Sequence, residues 1–241
     1  MAHYLSFLPR YNIERIVVGG ASRVLATDIE AYAFESMASR ANPFFSSSNV
    51  LLYQPRLVER ALLAHLPALK SARVARSSPL SNTLQIEVKE REAYALWCAS
   101  ENLCFDIDRD GLIFAKTAAA RAAGYVFSGG MASSSSDPVG VLFAEEHVEE
   151  IVGFLDGLTA EHFAPEGAHV ESDRDFTVPL VNSYYLKASF GQNAQDLVKN
   201  LQLVLSSDAL KEKHGSIEYI DLRFGDRVYY KLKGQTDFQS H

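Results

Sequence analysis

Hydrophobic and polar positions along the first ninety residues change period twice. Ile13, Ile16 and Val18 lie in a short apolar run that ends at Gly19-Gly20, the pattern of a strand and a turn. Thr27 followed by Glu30 has the form of a capping box, which predicts a helix over about 28–39 with Thr27 as its N-cap. Ile29, Ala33 and Met37, with Phe34 beside them, give that helix one apolar stripe. Asn42-Pro43 breaks the pattern, and Pro55 suits the first turn of a second helix whose apolar face is Val58, Leu62 and Leu66 and which Pro67 ends. Arg73–Arg76 reads as a short strand, and Ser78-Pro79 bends the chain. From Thr83 to Glu90 the alternation is strict: Leu84, Ile86 and Val88 on one face, Gln85, Glu87 and Lys89 on the other.

The remainder reads mainly as short strands. Tyr94–Trp97, Leu103–Ile107 and Leu112–Phe114 are joined by tight turns, the last of them at Asp110-Gly111. Residues 115–140 carry little pattern, and Gly129-Gly130 and the Ser133–Pro138 run read as an exposed loop. Val148, Ile151, Val152 and Leu155 form one face of a helix within 143–158, with Glu145, Glu146, Glu149 and Glu150 as its solvated side. Strands return at Phe176–Leu180 and Tyr184–Phe190, around a turn at Asn182-Ser183. A helix spans about 194–205, and a hairpin of Ser216–Phe224 and Arg227–Lys233 turns at Gly225-Asp226. These elements predict an α+β chain: an N-terminal domain of order strand, helix, helix, strand, strand over 13–91, then a larger, mainly antiparallel β domain with flanking helices over 92–233. Residues 1–12 would be a linker or the remnant of an anchor, and 234–241 a flexible tail.

Charge supports that division. Residues 1–90 hold 10 Lys/Arg against 7 Asp/Glu, and residues 91–241 hold 13 against 23. A net charge of −7 excludes a general nucleic-acid binder, whose affinity rests on neutralising phosphates. No stretch approaches the ~18 apolar residues of a membrane-spanning helix, and no signal-peptide pattern is present.

Catalytic and metal-ligating patterns are missing. Asp106-Ile107-Asp108-Arg109-Asp110-Gly111 opens like a calcium loop, but Thr117 stands where a bidentate glutamate is required, so it reads as a polar turn. The seven histidines form no HExxH or HxH, and no GxSxG, P-loop or GxGxxG occurs. The expectation is a protein without enzymatic activity, cofactor, metal or small-molecule substrate. Cys98 and Cys104 flank a turn; they are either two small apolar residues of a hairpin or a cross-strand disulfide, the latter only in an oxidising compartment. The terminal hairpin stands out instead. Its last strand has no later strand to cover it, and it carries Tyr229-Tyr230 beside Phe224, of which alternation lets only one tyrosine face a core.

Two stretches resemble a known family. Pro79 to Trp97, with Asn82-Thr83-Leu84, Ile86, Val88, Glu90-Arg91, Ala95 and Trp97, is similar to the signature that ends the POTRA domain of FtsQ/DivIB cell-division proteins and enters their β domain. Tyr219-Ile220-Asp221-Leu222-Arg223, followed by Val228-Tyr229-Tyr230-Lys231, is similar to the strands that close that β domain, and Asp106 to Phe114 to a hairpin between them. Two departures are an insertion between Pro79 and Thr83 and Glu92 in place of proline; the segment 115–172 matches poorly. The resemblance implies a POTRA domain over 13–91. It also implies a single-pass membrane protein whose bulk lies outside the cytoplasm at the division septum, anchored by a helix ahead of these residues. Its partners would be FtsB/DivIC-like and FtsL-like division proteins. The implied partner-binding residues are Phe224, Arg227, Val228, Tyr230 and Leu232, with Arg174 pairing with a partner carboxylate. The alternative is a POTRA-containing membrane assembly or secretion factor that binds polypeptide segments.

Overall fold

β3 (Thr83–Glu90) is the best-patterned segment of the chain and occupies the centre of a three-stranded sheet. The computed structural model describes residues 8, 11–38, 49, 53–78, 81–117, 124–130, 137–181 and 183–235. β1 (Arg15–Gly19) runs parallel to β3 on one side, with Ile16 opposite Leu84, and β2 (Leu69–Arg76) runs antiparallel on the other. Leu84, Ile86 and Val88 are buried, as the alternation requires, against α1 (Ala26–Ala38) and α2 (Pro55–His65). Ile29, Ala33 and Met37 of α1 meet Val58 and Leu62 of α2 in that core. Helix α1 begins at Ala26, so Thr27 lies inside its first turn and is not its N-cap: the N–H groups of Asp28 and Ile29 reach the Leu25 carbonyl. β2 is longer than the sequence indicates and starts at Leu69, because Arg91 and Leu69 both bond to the backbone just after α2.

Glu90 ends β3 and fastens this unit. Its carboxylate accepts the N–H groups of Ser22, Arg23 and Val24 and the Ser22 hydroxyl, at 2.7–3.1 Å. Burial alone would push its pKa up; those donors together hold it at about 2. Arg91 follows with Nε on the Pro67 carbonyl at 3.1 Å.

The chain divides into two units, Met1–Glu92 and Ala93–His241. The second is built on a nine-stranded sheet of order β12-β11-β10-β9-β8-β7-β4-β5-β6. Its strands are β4 (Ala95–Ser100), β5 (Leu103–Ile107), β6 (Ile113–Lys116), β7 (Tyr125–Gly129), β8 (Gly167–Val170), β9 (Asp175–Pro179), β10 (Tyr185–Ser189), β11 (Ile217–Phe224) and β12 (Arg227–Leu232). The pairs β4–β7, β7–β8 and β10–β11 are parallel and the others antiparallel, so the sheet is mixed. β7 and β8 lie in segments that the sequence pattern leaves blank. Gly129, read as loop, closes β7.

Helices α3 (Val148–Ala160) and α4 (Ala194–Leu205) cover one face of this sheet. Phe154, Leu155 and Leu158 of α3 and Leu197 and Leu201 of α4 join Phe127, Phe176, Val178, Leu186, Ile220 and Leu222 in one core. Asn193 caps α4, accepting the N–H groups of Gln195 and Asp196. Asp106 and Ile107 end β5, and the rest of the Asp106–Gly111 run makes the β5–β6 turn, in which Asp108 Oδ1 accepts the N–H groups of Asp110 and Leu112. Gly111 sits there at φ +86°, and a Cβ would stand 2.5 Å from a Val148 methyl. Cys98 and Cys104 face each other across β4 and β5 and are joined as a disulfide. Asn42-Pro43, Pro79, Leu80, Ser133 to Ser136 and Asn182, all assigned roles from the sequence, lie outside the described residues. No helix among the described residues is long and apolar enough to cross a membrane.

Candidate functional site

β12 is the outer strand of the large sheet. It pairs with β11 on one side, and no strand among the described residues pairs with the other. Its register places Tyr230 opposite the fully buried Ile220, Tyr229 opposite Asp221 and Arg227 opposite Phe224. Val228, Tyr230 and Leu232 therefore share the core-facing side of the strand. Val228 and Leu232 pack against the core, so their side chains belong to the fold. Leu232 already exchanges bonds with Gln235, its N–H on the Oε1 at 3.2 Å and its carbonyl accepting the Gln235 N–H at 3.1 Å, so strand addition would use the edge ahead of it. Tyr230, on the same side, stays 38% exposed.

The opposite side of the strand carries an aromatic residue that the sequence-based set omits. Tyr229 is 51% exposed and meets Phe224, itself 55% exposed, edge-on at 5.1 Å and 82°. The signal was present: Val228, Tyr230 and Leu232 occupy alternate positions, which leaves Tyr229 to solvent or to a partner. The strand thus has exposed aromatic surface on both faces, and ahead of Leu232 its outer edge meets no other strand among the described residues.

Arg223 connects this hairpin to the neighbouring loops. Its guanidinium bonds Asp221 at 2.7 and 2.9 Å and Asp175 at 3.0 Å, and it lies 5.7 Å from the Phe224 ring centre. The hydrogen bonds that Arg223 donates to the Asp221 carboxylate are the main cause that raises its pKa and holds it charged. On Asp175 the Ser189 hydroxyl acts first and Arg223 with it, and together they outweigh burial and lower the carboxyl pKa. Arg174 is exposed in the turn before β9, its N–H on the Ser172 hydroxyl. Arg174, Arg223 and Phe224 line one open cleft of about 580 Å³, so the structure brings Arg174 and Phe224 together, while Tyr230 lies along β12.

That cleft adjoins another of about 430 Å³, with His147, Asp173 and Phe190 common to both. His147 stacks on Phe190 at 4.1 Å and 9°, and its Nδ1 lies 2.8 Å from a Glu150 carboxylate oxygen. Glu150 in turn accepts the Gly191 N–H, which ties the start of α3 to the loop ahead of α4. Ala144 and Glu145, on the wall of the second cleft, take left-handed backbone at φ 50° and 38°. That conformation costs a non-glycine residue about 1–2 kcal/mol. Part of the compensation is the Ala144 N–H bonded to the Gly130 carbonyl at 3.0 Å.

No protein-family model matches the chain, and no curated protein matches its sequence. Among the described residues no group of three or more His, Cys, Asp or Glu is arranged to hold a metal ion.

Proposed function

We propose that the chain is the extracytoplasmic part of a membrane-anchored, non-enzymatic scaffold of the FtsQ/DivIB kind, which binds FtsB/DivIC-like and FtsL-like division proteins at the septum. The observation that carries this reading is the outer strand β12, with exposed Phe224, Tyr229 and Tyr230 and an outer side that no strand among the described residues pairs with. A partner segment adds a strand there: backbone hydrogen bonds set its register, and the aromatic side chains supply desolvated anchors.

Three further features support the reading. The first unit has the strand-helix-helix-strand-strand order with β3 between β1 and β2, which fits the POTRA domain that the sequence resemblance implies. Glu90 and Arg91, the charged pair of the resembling signature, both have structural work in that unit. The Cys98–Cys104 disulfide fits an oxidising compartment.

The test is titration of a soluble C-terminal segment of an FtsB/DivIC-type partner against the wild-type chain and folded Phe224→Ala, Tyr229→Ala and Tyr230→Ala variants. Loss of a hot-spot aromatic costs about 2 kcal/mol or more, roughly 30-fold in affinity. Arg174→Ala weakens binding less, and its effect shrinks as salt is added, because an exposed pair is screened. Wild-type affinity in all three aromatic variants would move the interface away from this hairpin.

A further inference from the structure

The smaller cleft, of about 430 Å³, has a composition unlike the Arg174 cleft beside it. Val170, Ala144 and Phe190 make its wall apolar, and its volume lies within the ~300–1,000 Å³ range of ligand sites. Four exposed carboxylates, Glu145, Glu146, Glu171 and Asp173, stand around it, and no Lys or Arg lines it. Among the described residues none of the four is engaged in a side-chain hydrogen bond or ion pair. By contrast, Asp175, two residues after Asp173, and Asp221 of β11 are both paired with Arg223.

We propose that this cleft binds a basic segment of a partner polypeptide, in which Lys or Arg residues flank an apolar side chain. The apolar side chain enters between Val170 and Phe190, and the flanking cations meet the carboxylates. Charge complementarity selects the occupant: the rim repels an acidic segment or a phosphate backbone, and a small polycation would leave the apolar wall unfilled. Glu145 reaches the rim from a left-handed backbone that the Gly130 carbonyl helps to hold, so the rim is pre-set on the fold and is not a property of loose side chains alone. The proposal stands apart from strand addition at β12, since it rests on other residues and the opposite sign of partner charge.

Fluorescence anisotropy of the full chain with a short dye-labelled peptide in which lysines flank leucines tests it. Saturable binding is expected, with none for the peptide in which glutamates replace the lysines and weaker binding when glycines replace the leucines. The double variant Glu171→Lys/Asp173→Lys should lose at least about tenfold in affinity. Asp208→Lys/Glu212→Lys, an equal change in net charge at exposed positions away from the cleft, should lose no more than about twofold. Equal losses in the two double variants would overturn the proposal in favour of general attraction to an acidic protein, and so would binding that is indifferent to the leucines. Tyr230→Ala should leave basic-peptide affinity unchanged; a loss there would assign the peptide to the β12 edge.

Discussion

Glu90 shows how much one side chain does in this fold. Three backbone N–H groups and a hydroxyl converge on its carboxylate from the loop that leads into α1, so the charge ties the end of the central strand to the start of the first helix. The sign of its pH effect follows from a folded pKa of about 2 against an ordinary 4.5. Its stabilisation is complete above the unfolded value and is lost as pH falls from about 4.5 towards 2. Glu90→Gln should therefore lower stability at neutral pH and flatten the acid limb of the profile in that window. Amide exchange at Ser22, Arg23 and Val24, followed downward in pH through the ordinary carboxylate range, checks it. Identical acid limbs in variant and wild type would contradict the role. The Glu-Arg pair of the resembling signature thus has structural partners in two places: Glu90 holds the loop ahead of α1, and Arg91 donates to the Pro67 carbonyl after α2.

At the scale of elements, α3 and α4 meet across two glycines. A Cβ on Gly153 would stand 3.9 Å from the Ala194 Cβ, an ordinary contact, whereas one on Gly157 would stand 3.2 Å from a Val198 methyl. Gly153→Ala should stabilise the second unit by about 1 kcal/mol through helix propensity. Gly157→Ala should gain less or lose, because α4 must shift to admit the methyl. Urea unfolding of both variants checks this ordering, and a larger gain at Gly157 would refute it.

What the sequence disclosed at this scale follows the same physics. β3, β5 and α4 end where their periodicity ends, since each buries one regular face and the pattern records it. β7 and β8 were illegible. β8 is Gly167-Ala168-His169-Val170, too short and too small in its side chains to show alternation, and β7 rests between two parallel neighbours far along the chain, β4 and β8. The edge aromatics were legible as a pair that could not both be inward. The choice of Tyr229 as the residue facing Phe224 needed the β11–β12 register.

At the scale of the whole molecule, the chain is a chain of two units with opposite charge balance, and each candidate surface is on the second. The acidic second unit presents one hairpin edge rich in aromatics, one cleft with Arg174 and Arg223, and one cleft ringed by unpaired carboxylates. Surfaces so different in chemistry suit a protein that gathers several partners, and strand addition at β12 is the claim on which that reading turns. Hydrogen exchange on the complex tests it most directly. On adding the C-terminal segment of an FtsB/DivIC-type partner to the full chain, amides at alternate positions of Arg227–Leu232 should gain protection, while those of β6, the opposite outer strand, stay as they were. Binding without added protection anywhere in Arg227–Leu232 would contradict the account.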